Sequence, residues 1–187
     1  MSKKDRSGEY DFALVINGVS ELTAGVENAL FEAGCDDATF SIHHGRLYAE
    51  FSRTGASLED AILSAIQDVR KAAIGAMVLR VDDSNLVTPA EIARRIGRSR
   101  QLVFQYITGQ RGPGGFPPPE CYLSEKAPLW AWCAVSRWLA QNNIIRPEES
   151  RNAEVVAAIN NSLEAARQRE RNPELIREIS KRVKMAS

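Results

Sequence analysis

Apolar residues follow two different periods along residues 10–82 of the chain. A short apolar run, Phe12–Ile16, predicts a strand that is buried on both faces. A helix is predicted between Ser20, which can cap it, and Gly34, which can end it. Its apolar residues recur at helical spacing: Leu22, Val26, Ala29, Leu30 and Ala33. The chain is therefore expected to begin with a strand followed by a helix.

A β-hairpin is predicted next, because apolar residues alternate with polar ones on both sides of the turn His43-His44-Gly45-Arg46. A second helix is predicted from its cap at Ser57, and a last strand follows. The apolar residues behind these three predictions are Phe40, Ile42, Leu47, Ala49 and Phe51 in the hairpin, Leu58, Ile62, Ala65, Ile66 and Val69 in the helix, and Met77, Leu79 and Val81 in the strand. The order strand, helix, strand, strand, helix, strand is that of a ferredoxin-like βαββαβ sandwich, which we predict for residues 9–83.

The polar cluster Asp82–Asn85 predicts a domain boundary, and two short helices are predicted beyond it. Thr88 can cap the first helix, Pro89 suits its first position, and Glu91 can complete a capping box. Gly97 permits the left-handed backbone that ends a helix abruptly, and Ser99 can cap the second helix. Buried contacts are expected from Ile92, Ala93 and Ile96 in the first helix and from Leu102, Val103 and Tyr106 in the second. This is the layout of a helix-turn-helix.

The exposed positions of these helices carry the most specific chemistry in the sequence. The second helix is expected to expose Arg100, Gln101, Gln105 and Thr108. Arginine and glutamine can read guanine and adenine edges through paired hydrogen bonds. Phosphate contact is the natural role for arginines of the first helix and the turn: Arg94, Arg95 and Arg98. Ser99 and Arg111 complete the DNA-binding residues predicted from these elements.

A wing and a helical extension are predicted after the two helices. Gly109–Gly115 indicates a flexible connection, and Phe116–Pro119 an extended chain. Glu120–Leu123 and Leu129–Trp132 could pair as a hairpin, before a closing helix over Cys133–Asn142. Residues 147–187 are predicted to form two amphipathic helices interrupted at Asn172-Pro173. These two helices have too little apolar surface to form a core of their own. We therefore expect them to pack on the rest of the chain or on a second copy of it.

Residues 86–142 resemble the winged helix-turn-helix modules of bacterial excisionases and mercury-resistance-type regulators. The resemblance rests on T-P-A-E-I-A-R-R-I-G-R-S-R, on G-F-P-P-P, and on L-W-A-W leading into R-W-L. It implies that the second helix reads the major groove through Arg100, Gln101 and Gln105. It also implies that the wing contacts the backbone or minor groove through Ser124 and Lys126, although the wings of that family are usually richer in arginine. Residues 1–85 lie outside the resemblance.

The formal net charge of zero hides a division along the chain. Residues 9–83 contain 5 Lys/Arg and 13 Asp/Glu, whereas residues 84–140 contain 7 and 3. The neutral total therefore does not argue against a nucleic-acid partner. The acidic domain would be repelled by phosphate, and self-association, a protein partner and a small ligand all remain open for it.

Several classes of protein are disfavoured by the sequence. No apolar run approaches the roughly 18–20 residues of a membrane span, and the N-terminus lacks the pattern of a signal peptide. Cys35, Cys121 and Cys133 lack zinc-site spacing, and we interpret them as buried thiols of a cytoplasmic protein. No phosphate loop, nucleophile elbow or H-E-x-x-H pattern is present. We therefore expect that the protein is not an enzyme, that it has no catalytic residue, and that it binds no metal or cofactor.

Several residue groups are interpreted as structural. Trp130, Trp132 and Trp138 are expected in the core and not as base-stacking platforms. His43 and His44 are expected in a solvated turn, and the carboxylates of Asp36-Asp37 and Glu59-Asp60 are expected to complement helix dipoles.

Together these patterns predict an α+β protein that binds double-stranded DNA sequence-specifically, a bacterial or phage transcriptional regulator acting as a homodimer. The alternative is a protein-interaction module, such as an antitoxin or phage adaptor, whose acidic domain binds a partner.

Overall fold

The computed structural model describes residues 8–124 and 127–185. The chain forms two compact units: unit 1 comprises Met1–Asp82 and Ala158–Ser187, and unit 2 comprises Asp83–Ala157. In chain order the elements are β1 (Gly8–Asn17), α1 (Ala24–Glu32), β2 (Ala38–His43), β3 (Arg46–Gly55), α2 (Leu58–Lys71), β4 (Met77–Val81), β5 (Leu86–Val87), α3 (Pro89–Arg95), α4 (Arg100–Ile107), β6 (Trp130–Ala131), α5 (Trp132–Gln141), α6 (Pro147–Arg171) and α7 (Pro173–Met185). The break between α6 and α7 confirms the interruption predicted at Asn172-Pro173. None of the helices within the described ranges is long and apolar enough to cross a membrane.

The sheet of unit 1 has four antiparallel strands in the order β2-β3-β1-β4, which makes the protein α+β as predicted. The predicted hairpin is confirmed, since β2 and β3 pair as far as His43 and Arg46. Its two turn residues, His44 and Gly45, have φ angles of +50° and +73°. A two-residue turn with positive φ matches the right-handed twist of the paired strands.

One face of this sheet carries the core of unit 1. Leu14 and Ile16 of β1 are fully buried and lie opposite Ala49 and Leu47 of β3. Helix α2 contributes buried apolar side chains at helical spacing: Ala61, Ile62, Ala65, Ile66 and Val69. The predicted cap of α2 is confirmed, because the Ser57 hydroxyl accepts a 3.1 Å hydrogen bond from the Asp60 amide.

Two details of unit 1 differ from the prediction. Helix α1 is capped by Thr23 and not by Ser20, because the Thr23 hydroxyl accepts a hydrogen bond from the Val26 amide. In β4 the pairing with β1 skips Leu79, a β-bulge that reverses the alternation of side chains. Val78 is therefore buried and Met77 exposed, contrary to the predicted alternation, whereas Leu79 and Val81 are buried as predicted.

The amide side chain of Asn160, in α6, pairs with the backbone of edge strand β4. The Val81 amide donates to Asn160 Oδ1 at 2.7 Å, and Asn160 Nδ2 donates to the Val81 carbonyl at 3.1 Å. The side chain thus occupies the hydrogen-bonding groups that an added strand would use.

A buried arginine connects β3, α2 and the loop between α1 and β2. The Arg53 guanidinium, on β3, donates to both carboxylate oxygens of Asp37 at 2.8 and 2.9 Å and to Asp68 of α2 at 2.8 Å. It also donates to the Gly34 carbonyl at 2.6 Å. Its side chain is 8% exposed. Burial alone would raise the pKa of Asp68, but hydrogen bonds from Lys71 and Arg53 outweigh it and lower the pKa.

The cysteines are only partly as predicted. All three are free thiols, but only Cys35 is buried, whereas Cys121 and Cys133 are half-buried. Burial raises the pKa of the Cys35 thiol to about 11, which keeps it protonated and unreactive at neutral pH.

Candidate nucleic-acid interface

Unit 2 is built around a small apolar core to which α3, α4, α5 and the two-stranded sheet of β5 and β6 contribute. The buried members of this core are Val87, Ile92, Ala93, Val103, Trp130, Val135, Trp138 and Leu139. Asn85 connects the sheet to α5, because its side-chain oxygen accepts a hydrogen bond from the Cys133 amide at 2.9 Å. The predicted burial of Ile92, Ala93 and Val103 is confirmed.

Only the Thr88 half of the predicted capping box is seen at the start of α3. The Thr88 hydroxyl accepts from the Glu91 amide at 3.2 Å, and Pro89 occupies the first turn. The Glu91 carboxylate, however, accepts from Arg94 Nη2 at 2.6 Å and from Arg95 Nε at 3.0 Å. These hydrogen bonds lower the pKa of Glu91 to about 2. Glu91 therefore neutralises positive charge on α3. The sequence had predicted instead that its carboxylate would complete the capping box at the start of this helix.

The arginines of α3 are held by partners within unit 2. Arg95 has a side chain only 12% exposed and donates to Asp83 at 2.5 Å and to the Ser84 carbonyl at 3.0 Å. Its guanidinium also lies 5.0 Å from the centre of the Trp132 ring. The Arg94 side chain is 72% exposed, yet both Nε and Nη2 donate to Glu91. A phosphate contact from Arg95 would require these bonds to break, so we omit Arg95 from the proposed interface.

The turn between α3 and α4 has the predicted shape. Gly97 has a φ of +62°, and the Arg98 amide donates to the Ala93 carbonyl at 2.9 Å. Ser99 then caps α4, its hydroxyl accepting from the Leu102 amide at 3.2 Å. Glycine is favoured at position 97 because a residue with a side chain would be strained at this φ. The turn leaves the Arg98 and Ser99 side chains exposed beside the start of α4.

Helix α4 has one side in the core and the opposite side in solvent. Val103 is fully buried, and its half-buried neighbours are Leu102, Gln105, Tyr106 and Ile107. Arg100 and Gln101 are exposed as predicted, whereas Gln105 is not fully exposed. Thr108 is exposed, but its hydroxyl donates to the Phe104 carbonyl at 2.9 Å. Phe104 is exposed on the same side of α4 as Arg100. The exposure of Phe104 was not predicted from the sequence.

The connection after α4 is fixed by two tryptophans. Trp138 Nε1 donates to the Gly114 carbonyl at 2.9 Å, and Trp130 Nε1 donates to the Pro117 carbonyl at 3.0 Å. The Phe116 ring packs edge-on against Trp138, with ring centres 5.0 Å apart. The predicted core role of Trp130 and Trp138 is confirmed, and Trp132 is half-buried. Arg111, within this connection, is exposed.

The predicted wing is a short pairing with an exposed tip. Among the described residues of its two arms, Cys121 forms a bridge with Leu129 and the Glu120 amide donates to the Leu129 carbonyl at 2.7 Å, while β6 pairs with β5. The tip exposes Tyr122 and Leu123 as well as the predicted contact residue Ser124. The other predicted wing contact, Lys126, lies outside the described residues.

Four of the predicted site residues lie together on unit 2. Arg98, Ser99, Arg100 and Gln101 are consecutive and exposed at the start of α4. Among the residues with described positions, no cluster of three His, Cys, Asp or Glu side chains could hold a metal ion. Comparisons with models of protein families, with curated proteins and with solved structures find no match to this chain.

Proposed function

We propose that this chain is a sequence-specific DNA-binding protein that acts as a transcriptional regulator. In this proposal unit 2 is a winged helix-turn-helix with α4 as its recognition helix, and unit 1 is a ferredoxin-like domain. The observation that carries the proposal is the division of α4: Val103 fixes it on the core while Arg100 and Gln101 face solvent. A helix held in this way can enter the major groove with base-reading side chains foremost.

The charge around α4 supports the same function. Residues 96–119 include Arg98, Arg100 and Arg111 and contain no Asp or Glu. All three arginines are exposed. A positively charged segment without acidic residues is attracted to the phosphate backbone whatever the base sequence. Arg98 and Arg111 are therefore proposed as phosphate contacts, and Arg94 contributes less because Glu91 neutralises it.

The proposal is tested by selecting duplexes from a random-sequence pool with the full-length protein. We expect enrichment of a common sequence, and fluorescence anisotropy should then show affinity that falls as salt rises. If each copy neutralises three phosphates, log K should fall against log salt with a slope of roughly −3 per copy. Failure to enrich any duplex, or an affinity independent of salt, would contradict the proposal.

We also propose that two copies associate through α7, so that two DNA-binding modules act together. Leu175 and Ile179 are one turn apart on α7 and both are exposed. The first half of α7 contains Glu174, Arg177 and Glu178, whereas the second half contains Lys181 and Arg182, of which Arg182 also pairs with Glu178 of its own helix. An antiparallel pair of α7 helices places the acidic half of one copy beside the basic half of the other. A parallel pair would place the two basic halves together.

Replacing Ile179 with Asp should convert a dimer into a monomer, because the charge would lie at the centre of the apolar stripe. Light scattering coupled to gel filtration of the full-length protein measures the change. Leu63→Asp is the control, since Leu63 is an exposed leucine on α2 and should leave the mass unchanged. A monomeric wild type, or an Ile179→Asp variant that stays dimeric, argues against pairing through α7.

A second candidate function, a protein-interaction module, is favoured by the open face of the sheet in unit 1. Glu9, Asp11 and Glu50 are exposed on this face, and the Ser52 hydroxyl, which contacts both Glu9 and Asp11, lies 2.7 Å from the latter. An acidic surface of this kind would attract a basic protein segment. The duplex selection separates the candidates, because an interaction module that does not bind DNA enriches no sequence.

A further inference from the structure

Phe104 is 58% exposed on α4, although the helix has only eight residues and lies on the core of unit 2. It follows Arg100 by one turn and Gln101 by three residues, so the three side chains are neighbours on the helix surface. We infer that Phe104 is a specificity-determining residue that contacts the C5-methyl group of a thymine, beside the bases that Arg100 and Gln101 read. The inference rests on the proposed function and names part of the DNA sequence that the protein prefers.

The chemistry of the major groove restricts what an exposed phenyl ring can recognise there. Guanine, adenine and cytosine present hydrogen-bonding groups on this edge, and only thymine adds an apolar group. A phenyl ring placed over a hydrogen-bonding group removes its water and replaces no bond, which is unfavourable. Against a methyl group the ring gains apolar contact at no such cost. Phe104 therefore selects for thymine and against cytosine at the position it covers.

The surroundings of Phe104 favour DNA over a protein as its partner. Gln101 and Arg100 flank it on α4, and its segment, residues 96–119, has three arginines and no acidic residue. An apolar protein-binding patch would be expected to join Phe104 to further exposed apolar residues of α4, but the other exposed side chains of this helix are Arg100 and Gln101. A single apolar contact among basic and amide groups suits a polyanion that carries isolated methyl groups.

The experiment uses the full-length protein and the duplex that it enriches from a random-sequence pool. Each thymine of the duplex is replaced in turn by deoxyuridine, which lacks the methyl group and keeps the hydrogen-bonding groups. At one thymine in each half-site, wild type should bind about fourfold more weakly after the replacement, the effect of one buried methyl group. Phe104→Ala should bind the thymine duplex roughly tenfold more weakly and should not distinguish thymine from deoxyuridine at that position.

Phe31→Ala is the matched control, because Phe31 is a phenylalanine of α1, in unit 1, and is 66% exposed. It should keep both the affinity of wild type and its sensitivity to the methyl group. If circular dichroism shows that Phe104→Ala is unfolded, Phe104→Gln is used in its place and should lose the discrimination equally.

Four results overturn the inference. In the first, the enriched duplex has no thymine whose methyl group matters to wild type, and in the second, the sensitivity persists in the Phe104 variant; in both cases the proposed function stands. Unchanged DNA affinity of Phe104→Ala would instead assign this side chain to a protein contact. If no duplex is enriched at all, the inference and the proposed function are overturned together.

Discussion

Replacing Arg53 with Met should lower the free energy of unfolding by about 3 kcal/mol, because one partner of a buried ion pair is removed. Arg53 donates to Asp37, Asp68 and the Gly34 carbonyl, and methionine can replace none of these bonds. Asp37 would keep its charge while losing its cation, and Asp68 would keep only its ion pair with Lys71. We place the loss at the lower end of the range for buried pairs because water still reaches Asp37, whose side chain is 29% exposed.

Urea unfolding followed by circular dichroism measures this loss, and hydrogen exchange of β1 and β3 locates it. Arg46→Met is the matched control: Arg46 is an exposed arginine at the start of the same strand, so its removal should leave the unfolding midpoint almost unchanged. Equal midpoints for wild type and Arg53→Met would show that the buried cluster does not stabilise unit 1.

The difference between wild type and Arg53→Met should also depend on pH. The pKa of Asp68 in the folded protein lies below its ordinary value of 3.8, so its ion pair stabilises the fold above that value. The stabilisation is lost as the pH falls through the lowered pKa and Asp68 is protonated. The loss caused by Arg53→Met should therefore be complete at pH 7 and smaller below about pH 4. A difference that stays constant down to pH 2 would argue against this electrostatic origin.

The position of Arg53 could have been predicted from strand alternation, but its partners could not. Leu47, Ala49 and Phe51 are buried on one face of β3, and Arg53 continues the same two-residue spacing. The sequence pattern was thus sufficient to predict that the charged side chain of Arg53 points inward. Its carboxylate partners lie on other elements, Asp37 before β2 and Asp68 on α2, and only the packing of helix on sheet brings them to the guanidinium.

In unit 2, local signals predicted the backbone better than the side-chain partners. Thr88, Gly97 and Ser99 act on hydrogen bonds within four residues, so the helix ends follow from the sequence. Arg95 was expected to face phosphate, but its partners include Asp83 and Trp132, which are distant in sequence.

The side-chain partners distinguish arginines that look alike in the sequence. Arg94 and Arg95 share Glu91, so much of their charge is neutralised within α3. Arg98 and Arg100 follow after the turn and are exposed in a segment without acidic residues. The positive charge available to a phosphate or a base edge is therefore concentrated from the turn onward. We accordingly expect substitutions at the start of α4 to affect DNA binding more than those on α3.

Replacing Arg100 and Gln101 together with Ala should abolish the preference for the selected duplex while the protein stays folded. Each side chain can form a bidentate pair with a base, and each pair contributes roughly tenfold to discrimination. The preference for the selected duplex over a scrambled one should therefore fall by about 100-fold per bound copy. Competition between the two duplexes, followed by fluorescence anisotropy, measures the ratio. The fold should persist because both side chains are exposed on α4 and lie outside the core.

Arg98→Ala is the control that distinguishes base reading from charge. Arg98 lies in the turn, where a phosphate contact weakens binding to every sequence equally. This variant should bind both duplexes more weakly and leave their ratio unchanged, with a salt slope smaller by about one. If the Arg100 and Gln101 variant kept the ratio of wild type, α4 would not be the recognition helix. If instead Arg98→Ala changed the ratio, sequence reading would extend into the turn, and the division of roles between turn and helix would be wrong.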